Sequence, residues 1–149
     1  MRLQHVLISG VLALSACANE VAPTTPATAT RSTAELLNTY WKLAQLSDQV
    51  INTPAGAREI HFVLQSENQG VAGFSGCNRM MGSYVLDGAR IRFEQMAGTL
   101  MACVPDLELE RKFLAMFALV ARWEISGESL RLLDSQGKPL ATFESRYMN

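Results

Sequence analysis

The sequence lacks several features that would assign it to a common functional class. Its 149 residues contain no apolar run near the roughly 20 residues that a membrane-spanning helix needs. The 13 basic and 14 acidic residues give no basic excess for nucleic-acid binding. Neither a Gly-x-Ser-x-Gly nor a Cys-x-x-Cys motif occurs, and only two histidines are present. The sequence therefore predicts no catalytic residues, no cofactor and no enzyme activity.

The N-terminal residues have the pattern of a lipoprotein signal peptide. Arg2 precedes a short apolar run over residues 6–13, and residues 14–17, Leu-Ser-Ala-Cys, resemble a bacterial lipobox. We therefore expect residues 1–16 to be removed and Cys17 to be acylated (for example with palmitate), since two or three acyl chains hold a protein firmly on a membrane. An ordinary signal peptide with an incidental cysteine is the alternative.

The residue after Cys17 bears on the final location. Ala18 is not the aspartate that keeps enteric lipoproteins in the inner membrane. By resemblance, we expect attachment to the outer membrane of a bacterial cell envelope, with the protein facing the periplasm.

Residues 17–34 predict a tether. They are rich in alanine, threonine and proline, with almost no large apolar side chains, and cannot bury enough surface to offset the entropy of ordering. Without residues 1–16 the chain keeps 12 basic and 14 acidic residues, which is a small negative charge. We expect a monomer that contacts the membrane through Cys17.

Residues 35–149 predict one small α+β domain. Alternating apolar positions separated by turn signals indicate about eight short strands, and Asp87-Gly88 marks a hairpin. From about 106 to 121 the apolar period becomes helical, with acidic residues near the N-terminal end. The pattern favours a small antiparallel sheet that curls into a partial barrel around or against one main helix.

Several blocks of the chain resemble the META domain of HslJ-like proteins. They are Trp-Lys-Leu at 41–43, Gly-Phe-Ser-Gly-Cys-Asn-Arg at 73–79, Thr-Leu-Met-Ala-Cys at 99–103, and Glu110 with Phe113 in the predicted helix. The resemblance covers nearly the whole domain. It implies a compact α+β half-barrel and an association with envelope integrity or stress response, and it implies no catalytic residues.

Cys77 and Cys103 remain after Cys17 is assigned to the anchor. An envelope compartment is oxidising, so we expect these two cysteines to form a disulfide. A loop of this size would stabilise the fold by about 3.5 kcal/mol in the chain-entropy model. The alternative is a redox-active pair, for which Arg79 is the only obvious nearby cation that could lower a thiol pKa.

Asn78 and Arg79 follow Cys77 in a predicted tight loop, since asparagine tolerates left-handed backbone and bonds its own main chain. They form a candidate partner-facing loop, and the alternative for Arg79 is a simple solvated side chain. Met80 and Met81 raise the question of Cu(I), but adjacent residues of a strand point to opposite faces, so we predict no metal site. Alternation with Ile60 and Phe62 predicts a solvent-facing side chain at position 61, a histidine.

Three function classes remain. The first is a non-enzymatic outer-membrane lipoprotein that binds an envelope protein or an apolar ligand through its curled sheet. The second is an inhibitor of a lysozyme- or protease-type hydrolase. The third is a thiol oxidoreductase that uses Cys77 and Cys103. Glu108 and Glu110 are expected on different helix faces, which weakens a glycosidase mechanism.

Overall fold

A computed structural model describes residues 33–101 and 107–147 of the chain, which form a strongly curled antiparallel sheet and one main helix. The strands of the described residues are β1 Tyr40–Leu46, β2 Gln49–Val50, β3 His61–Leu64, β4 Gly70–Phe74, β5 Arg79–Asp87, β6 Arg90–Gly98, β7 Arg122–Ser126, β8 Ser129–Leu133 and β9 Pro139–Arg146. The helix α1, Leu107–Met116, lies between β6 and β7 and continues into a 3-10 turn, Phe117–Leu119.

The strands pair in a ring. β3 to β9 follow one another as neighbours, and β1 pairs with β3 along one edge and with β9 along the other. The short β2 forms an arm on the edge of β1 beside β3. The weakest point of the ring is the seam between β6 and β7, where Arg90 and Arg122 are the only paired positions. The sheet is therefore a curled ring of hydrogen bonds and not a regular barrel.

Aromatic side chains fill the space that the sheet encloses. The ring of Phe62 on β3 meets those of Phe143 and Phe117 edge to face, with centroids 4.9 Å and 5.8 Å apart. Phe113 of α1 and Phe93 of β6 each pack against Phe117, at 5.2 Å and 4.7 Å. Edge-to-face geometry is the preferred arrangement of aromatic pairs and adds to the free energy of burying them. The aromatic side chains of α1 and of its 3-10 turn thus hold the helix inside the sheet.

A β-bulge keeps the core face of β1 continuous. Trp41 and Leu43 are buried, and the register with β9 then shifts between Leu43 and Gln45 so that the next buried residue is Leu46. An extra residue in one strand rotates the following side chains onto the other face. The indole nitrogen of Trp41 donates to the carbonyl of Leu36 at 3.0 Å, which secures the segment that leads into the sheet.

The predicted α+β fold class is confirmed, and the structure refines two details of it. The described residues contain nine strands where about eight were predicted, because β2 has two exposed residues and no apolar alternation that could signal it. The helical pattern also ends earlier than residue 121: α1 ends at Met116, and Val120 has extended dihedral angles. Within residues 33–101 and 107–147, no helix has the length and apolarity to span a bilayer.

Gly73 permits the close approach of β3 and β4. A Cβ atom at position 73 would collide with the carbonyl oxygen of His61 and lie 3.0 Å from the Cα of Phe62, and both obstacles are backbone. At Gly70 in the same strand, a Cβ would meet the flexible ends of the Asn68 and Gln65 side chains, at 2.6 Å and 2.7 Å. Flexible side chains can move at small cost, whereas a paired strand cannot.

Gly73→Ala should therefore lower the free energy of unfolding by about 1–3 kcal/mol, the usual cost of overpacking. Gly70→Ala, the matched control in the same strand, should stay within about 1 kcal/mol of the wild type. Urea denaturation followed by tryptophan fluorescence measures both. Equal effects of the two substitutions would contradict the close backbone approach at Gly73.

Candidate functional site

Three segments that are distant in sequence meet at one end of the sheet in a buried polar cluster. They are the loop between β4 and β5, with Ser75 and Asn78, the residues that follow β6, and the first turn of α1, with Glu110. Ser75, Asn78 and Glu110 have 1%, 5% and 6% of their surface exposed. We call Ser75, Asn78, Thr99 and Glu110 the polar cluster. The two longest blocks of the META resemblance therefore converge in space.

Glu110 is a buried carboxylate surrounded by donors. The hydroxyl of Ser75 hydrogen-bonds to its Oε1, and the backbone N–H of Asn78 donates to the same oxygen at 3.2 Å. The side-chain amide of Asn78 donates to Oε2, also at 3.2 Å. A buried carboxylate is costly unless hydrogen bonds replace its water, and these contacts supply that replacement. The helix is thereby fixed to the β4–β5 loop.

Asn78 links the loop to the residues after β6. Its Oδ1 accepts from the hydroxyl of Thr99 at 2.7 Å and from the backbone N–H of Met101 at 2.8 Å. Its amide nitrogen also lies 3.2 Å from the carbonyl oxygen of Met101 and 3.3 Å from the Sγ of Cys77. Every polar atom of the Asn78 side chain has a partner inside the protein.

These contacts correct part of the predicted partner-facing loop. Asn78 points into the protein: it is 5% exposed, and its side-chain amide bonds both to Glu110 and to the backbone of Met101, so it cannot contact a partner directly. Arg79 is exposed. The Ser75 hydroxyl lies 2.9 Å from the Asn78 carbonyl oxygen, so a side chain does support the backbone of this loop. The left-handed conformation expected of Asn78 was wrong: it falls on Gly76, with a φ of 106°.

Of the three cysteines, Cys77 alone lies within the described residues. Cys77 is 4% exposed, and its Sγ lies 3.3 Å from the carbonyl oxygen of Met101. Cys103 and the predicted anchor Cys17 lie outside the described residues, so the disulfide and the lipidation stay predictions. The described residue that Cys77 contacts, Met101, is two positions before Cys103 in the sequence.

A second group of residues lies on the outer face of the sheet, where β1, β3 and β4 run side by side. The rings of Tyr40 and His61 stack at 4.1 Å, Phe74 follows at 6.5 Å, and the guanidinium of Arg58 lies 4.2 Å above the Phe74 ring. We call Tyr40, His61, Phe74 and Arg58 the outer stack. An arginine over an aromatic ring is attracted to its π face. This contact explains why Phe74 is buried on an outer face.

The expectation of a solvent-facing His61 holds only in part. The histidine is on the outer face as the alternation predicted, but it is half-buried beside the neighbouring rings, and its Nδ1 lies 2.9 Å from the carbonyl oxygen of Glu59. Burial, with a smaller effect of the positive Arg58, lowers the pKa of His61 below its ordinary value of 6.5. Burial, helped by the nearby negative charge of Glu59, raises the pKa of Tyr40. The sequence gives no strand register, so it could not show that these rings are neighbours.

Two of the surface depressions of the described residues are relevant to binding. A groove of about 550 Å³, here the helix groove, lies between the C-terminal half of α1 and the β1–β2 turn. Its apolar residues are Leu46, Ala115, Met116, Leu119 and Leu140, and its polar residues are Ser47, Asp48, Gln49 and Lys112. A smaller pocket of about 180 Å³ opens beside Ser75, Gly76 and Arg58. Neither depression enters the aromatic core.

In residues 33–101 and 107–147, no three His, Cys, Asp or Glu side chains are grouped as metal ligands. As predicted, Met80 and Met81 face opposite sides of β5, with 2% and 60% exposure. Glu108 and Glu110 also lie on different helix faces, since Glu108 is exposed and pairs with Lys112 at 2.7 Å.

Glu110→Gln should lower the free energy of unfolding by about 1–3 kcal/mol, because an amide would present N–H groups to donors that now bind carboxylate oxygens. Glu108→Gln is the control: it removes the same charge from the same helix turn but only an exposed ion pair, and should change stability little. Chemical denaturation measures both. Similar stability of the two variants would contradict a supporting role for the polar cluster.

Protein stability should fall as the pH drops below about 6.5. Because folding lowers the pKa of His61, the unfolded chain binds a proton more readily there, and the stabilisation present above pH 6.5 is lost as pH falls through the folded pKa. Thermal unfolding between pH 8 and pH 5 measures the slope. His61→Phe keeps a ring in the outer stack and cannot titrate, so a wild-type slope in that variant would contradict the assignment.

Comparison with known proteins agrees with this architecture. The family model of the META domain matches residues 34–147. The fold is similar to an NMR structure of a protein from Burkholderia xenovorans, with a TM-score of 0.62 and 29% identity over 76% of this chain and 85% of that one. A second NMR structure has a TM-score of 0.59 at 19% identity and covers 73% of this chain and 90% of its own, which shows the fold alone. Among curated proteins, no relative matches. The chain belongs to the META-domain family.

Proposed function

We propose that the chain is a non-enzymatic outer-membrane lipoprotein that displays a META domain in the periplasm and binds an envelope protein there, in support of envelope integrity. Cys17 is the proposed anchor, and residues 17–34 are the tether. The observation that carries the non-enzymatic part of this proposal is the polar cluster, whose carboxylate and amide groups hydrogen-bond to one another inside the fold. These groups support the structure, so none of the family motif residues in the cluster is free for catalysis.

The filled core limits where a partner can bind. Phe62, Phe113, Phe117 and Phe143 are at most 1% exposed, so a ligand cannot enter the curled sheet without displacing α1. Of the two expected partners, an apolar ligand and an envelope protein, this favours a protein that binds the outer surface. The helix groove offers an apolar surface for such a contact, with Leu119 60% exposed at its rim.

The position of the helix groove suits a tethered protein. The described chain enters the domain beside the β7–β8 turn, where the backbone N–H of Ala34 donates to the carbonyl of Gly127 at 2.8 Å. β1 then runs from Tyr40 to Leu46, and Leu46 lines the helix groove. Seven strand residues span about 20 Å. The groove is therefore at the far end of β1 from the point where a tether would attach.

A photo-crosslinking amino acid at position 119 tests this proposal in intact cells. We expect it to capture a discrete envelope protein, because Leu119 lies at the rim of the helix groove. The same substitution at Met81, which is also 60% exposed but lies on the outer face of β5, should not capture that protein. Mass spectrometry identifies the adduct.

Two results would contradict the proposal. The first has two parts: the probe at position 119 captures no protein although the chain localises to the envelope, and a deletion strain keeps its detergent and drug sensitivity. The other is that Cys17→Ser leaves the protein in the membrane fraction. Capture of a lysozyme- or protease-type hydrolase, with loss of its activity, would replace the proposed role with that of an inhibitor.

A further inference from the structure

The seam between β6 and β7 joins two arginines face to face. Arg90 and Arg122 form the paired position there, and the hydrogen bonds on either side run from Ile91 N to Ala121 O and from Trp123 N to Ala89 O, each 3.1 Å. This pattern defines a non-hydrogen-bonded pair, in which Cα atoms are only about 4.5 Å apart and side chains are closest. Ile91 is buried in the core, so Arg90 extends from the opposite, outer face.

Like charges directly opposite one another in an antiparallel pair destabilise a sheet. The repulsion has little compensation within the protein. The side chains of Arg90 and Asp87 are 80% and 84% exposed, and their shortest N–O distance is 3.9 Å, so this ion pair is weak. In the part of the chain that the structure describes, no carboxylate forms an ion pair with Arg122.

The two arginines line an open polar groove of about 560 Å³, here the seam groove. Asp87, Ala89, Ala121 and Ser135 complete it. A shallower depression continues along β6 to Arg92 and shares Asp87, Arg90 and Ala121 with the seam groove. Arg92 is paired with Glu94 at 2.7 Å, so its charge is compensated. The seam groove thus holds two guanidinium groups, a hydroxyl and one weakly paired carboxylate.

We propose that the seam groove binds a phosphate monoester. A guanidinium presents a planar fork that matches oxyanions in a bidentate manner, and two arginines at one paired position favour a ligand with several oxygens and more than one negative charge. A phosphate monoester carries nearly two charges at neutral pH, whereas a carboxylate carries one charge on two oxygens. Such a ligand removes the Arg90–Arg122 repulsion. Free phosphate and a phosphomonoester lipid headgroup share this chemistry.

The test uses the full mature chain with Cys17→Ser, which carries no acyl chains. Inorganic phosphate at constant ionic strength should shift the amide NMR signals of residues 89–91 and 121–123 and raise the melting temperature, whereas acetate should do neither. Arg122→Gln should weaken phosphate binding about tenfold. The matched control is Arg131→Gln, which removes the same charge from an arginine 51% exposed and paired with Glu124 outside the groove, and should leave binding unchanged.

Two further measurements identify the source of the phosphate group and test whether charge in the seam groove determines its binding. The first measures binding to phosphatidylcholine vesicles with and without phosphatidic acid. Binding only when phosphatidic acid is present identifies a lipid headgroup as the ligand. Binding of inorganic phosphate without binding to either vesicle identifies a soluble ligand. Asp87→Asn removes the carboxylate that faces the groove and should strengthen binding. Failure of both phosphate and phosphatidic acid to bind, or equal weakening by Arg122→Gln and Arg131→Gln, would overturn the proposal.

Discussion

The packing of the α1 aromatic rings inside an incompletely closed sheet is the interaction on which the rest of the structure depends. β6 and β7 share one paired position, so hydrogen bonding alone does not close the ring of strands. Phe113 and Phe117 fill the enclosed space and contact rings from β3, β6 and β9. The helix therefore connects strands that lie on different sides of the core. The contacts that position α1 therefore also determine how the sheet curls.

The polar cluster is the second element of that positioning. Apolar contacts hold a helix against a core without selecting one rotation, because the hydrophobic effect has no direction. The hydrogen bonds from Ser75 and Asn78 to Glu110 are directional, and they lie one turn before Phe113 on the same helix. The two features thus act together. The polar cluster selects the rotation of the helix about its axis, and the aromatic core supplies the apolar surface that the helix buries.

Much of the fold was accessible from the sequence, because alternation and turn residues are local signals. The Asp87-Gly88 hairpin was predicted where it occurs, between β5 and β6. The two-residue β2 was missed, since it has no pattern to detect. The end of α1 was misplaced because Val120 remains buried after the helix has ended, so burial continues the apolar pattern without helical backbone.

The site was less accessible, because its geometry depends on contacts between distant segments. The sequence singled out Cys77, Asn78 and Glu110 as members of recognisable blocks, but a motif does not show which of its side chains point inward. The outer stack was missed for a similar reason. Tyr40, His61 and Phe74 become neighbours only through strand register, which no local pattern reports. Burial of these polar groups is a property of the assembled sheet.

The entry of the chain into the domain has a mechanical consequence. A pulling force applied upstream of Thr33 first meets the Ala34–Gly127 hydrogen bond and the Trp41–Leu36 hydrogen bond, and then β1. β1 is bonded to β9 on one side and to β2 and β3 on the other. Extracting it requires bonds along both edges to break and the buried Trp41 indole to leave the core. The strand that follows the N-terminal segment is thus secured along both of its edges against tension.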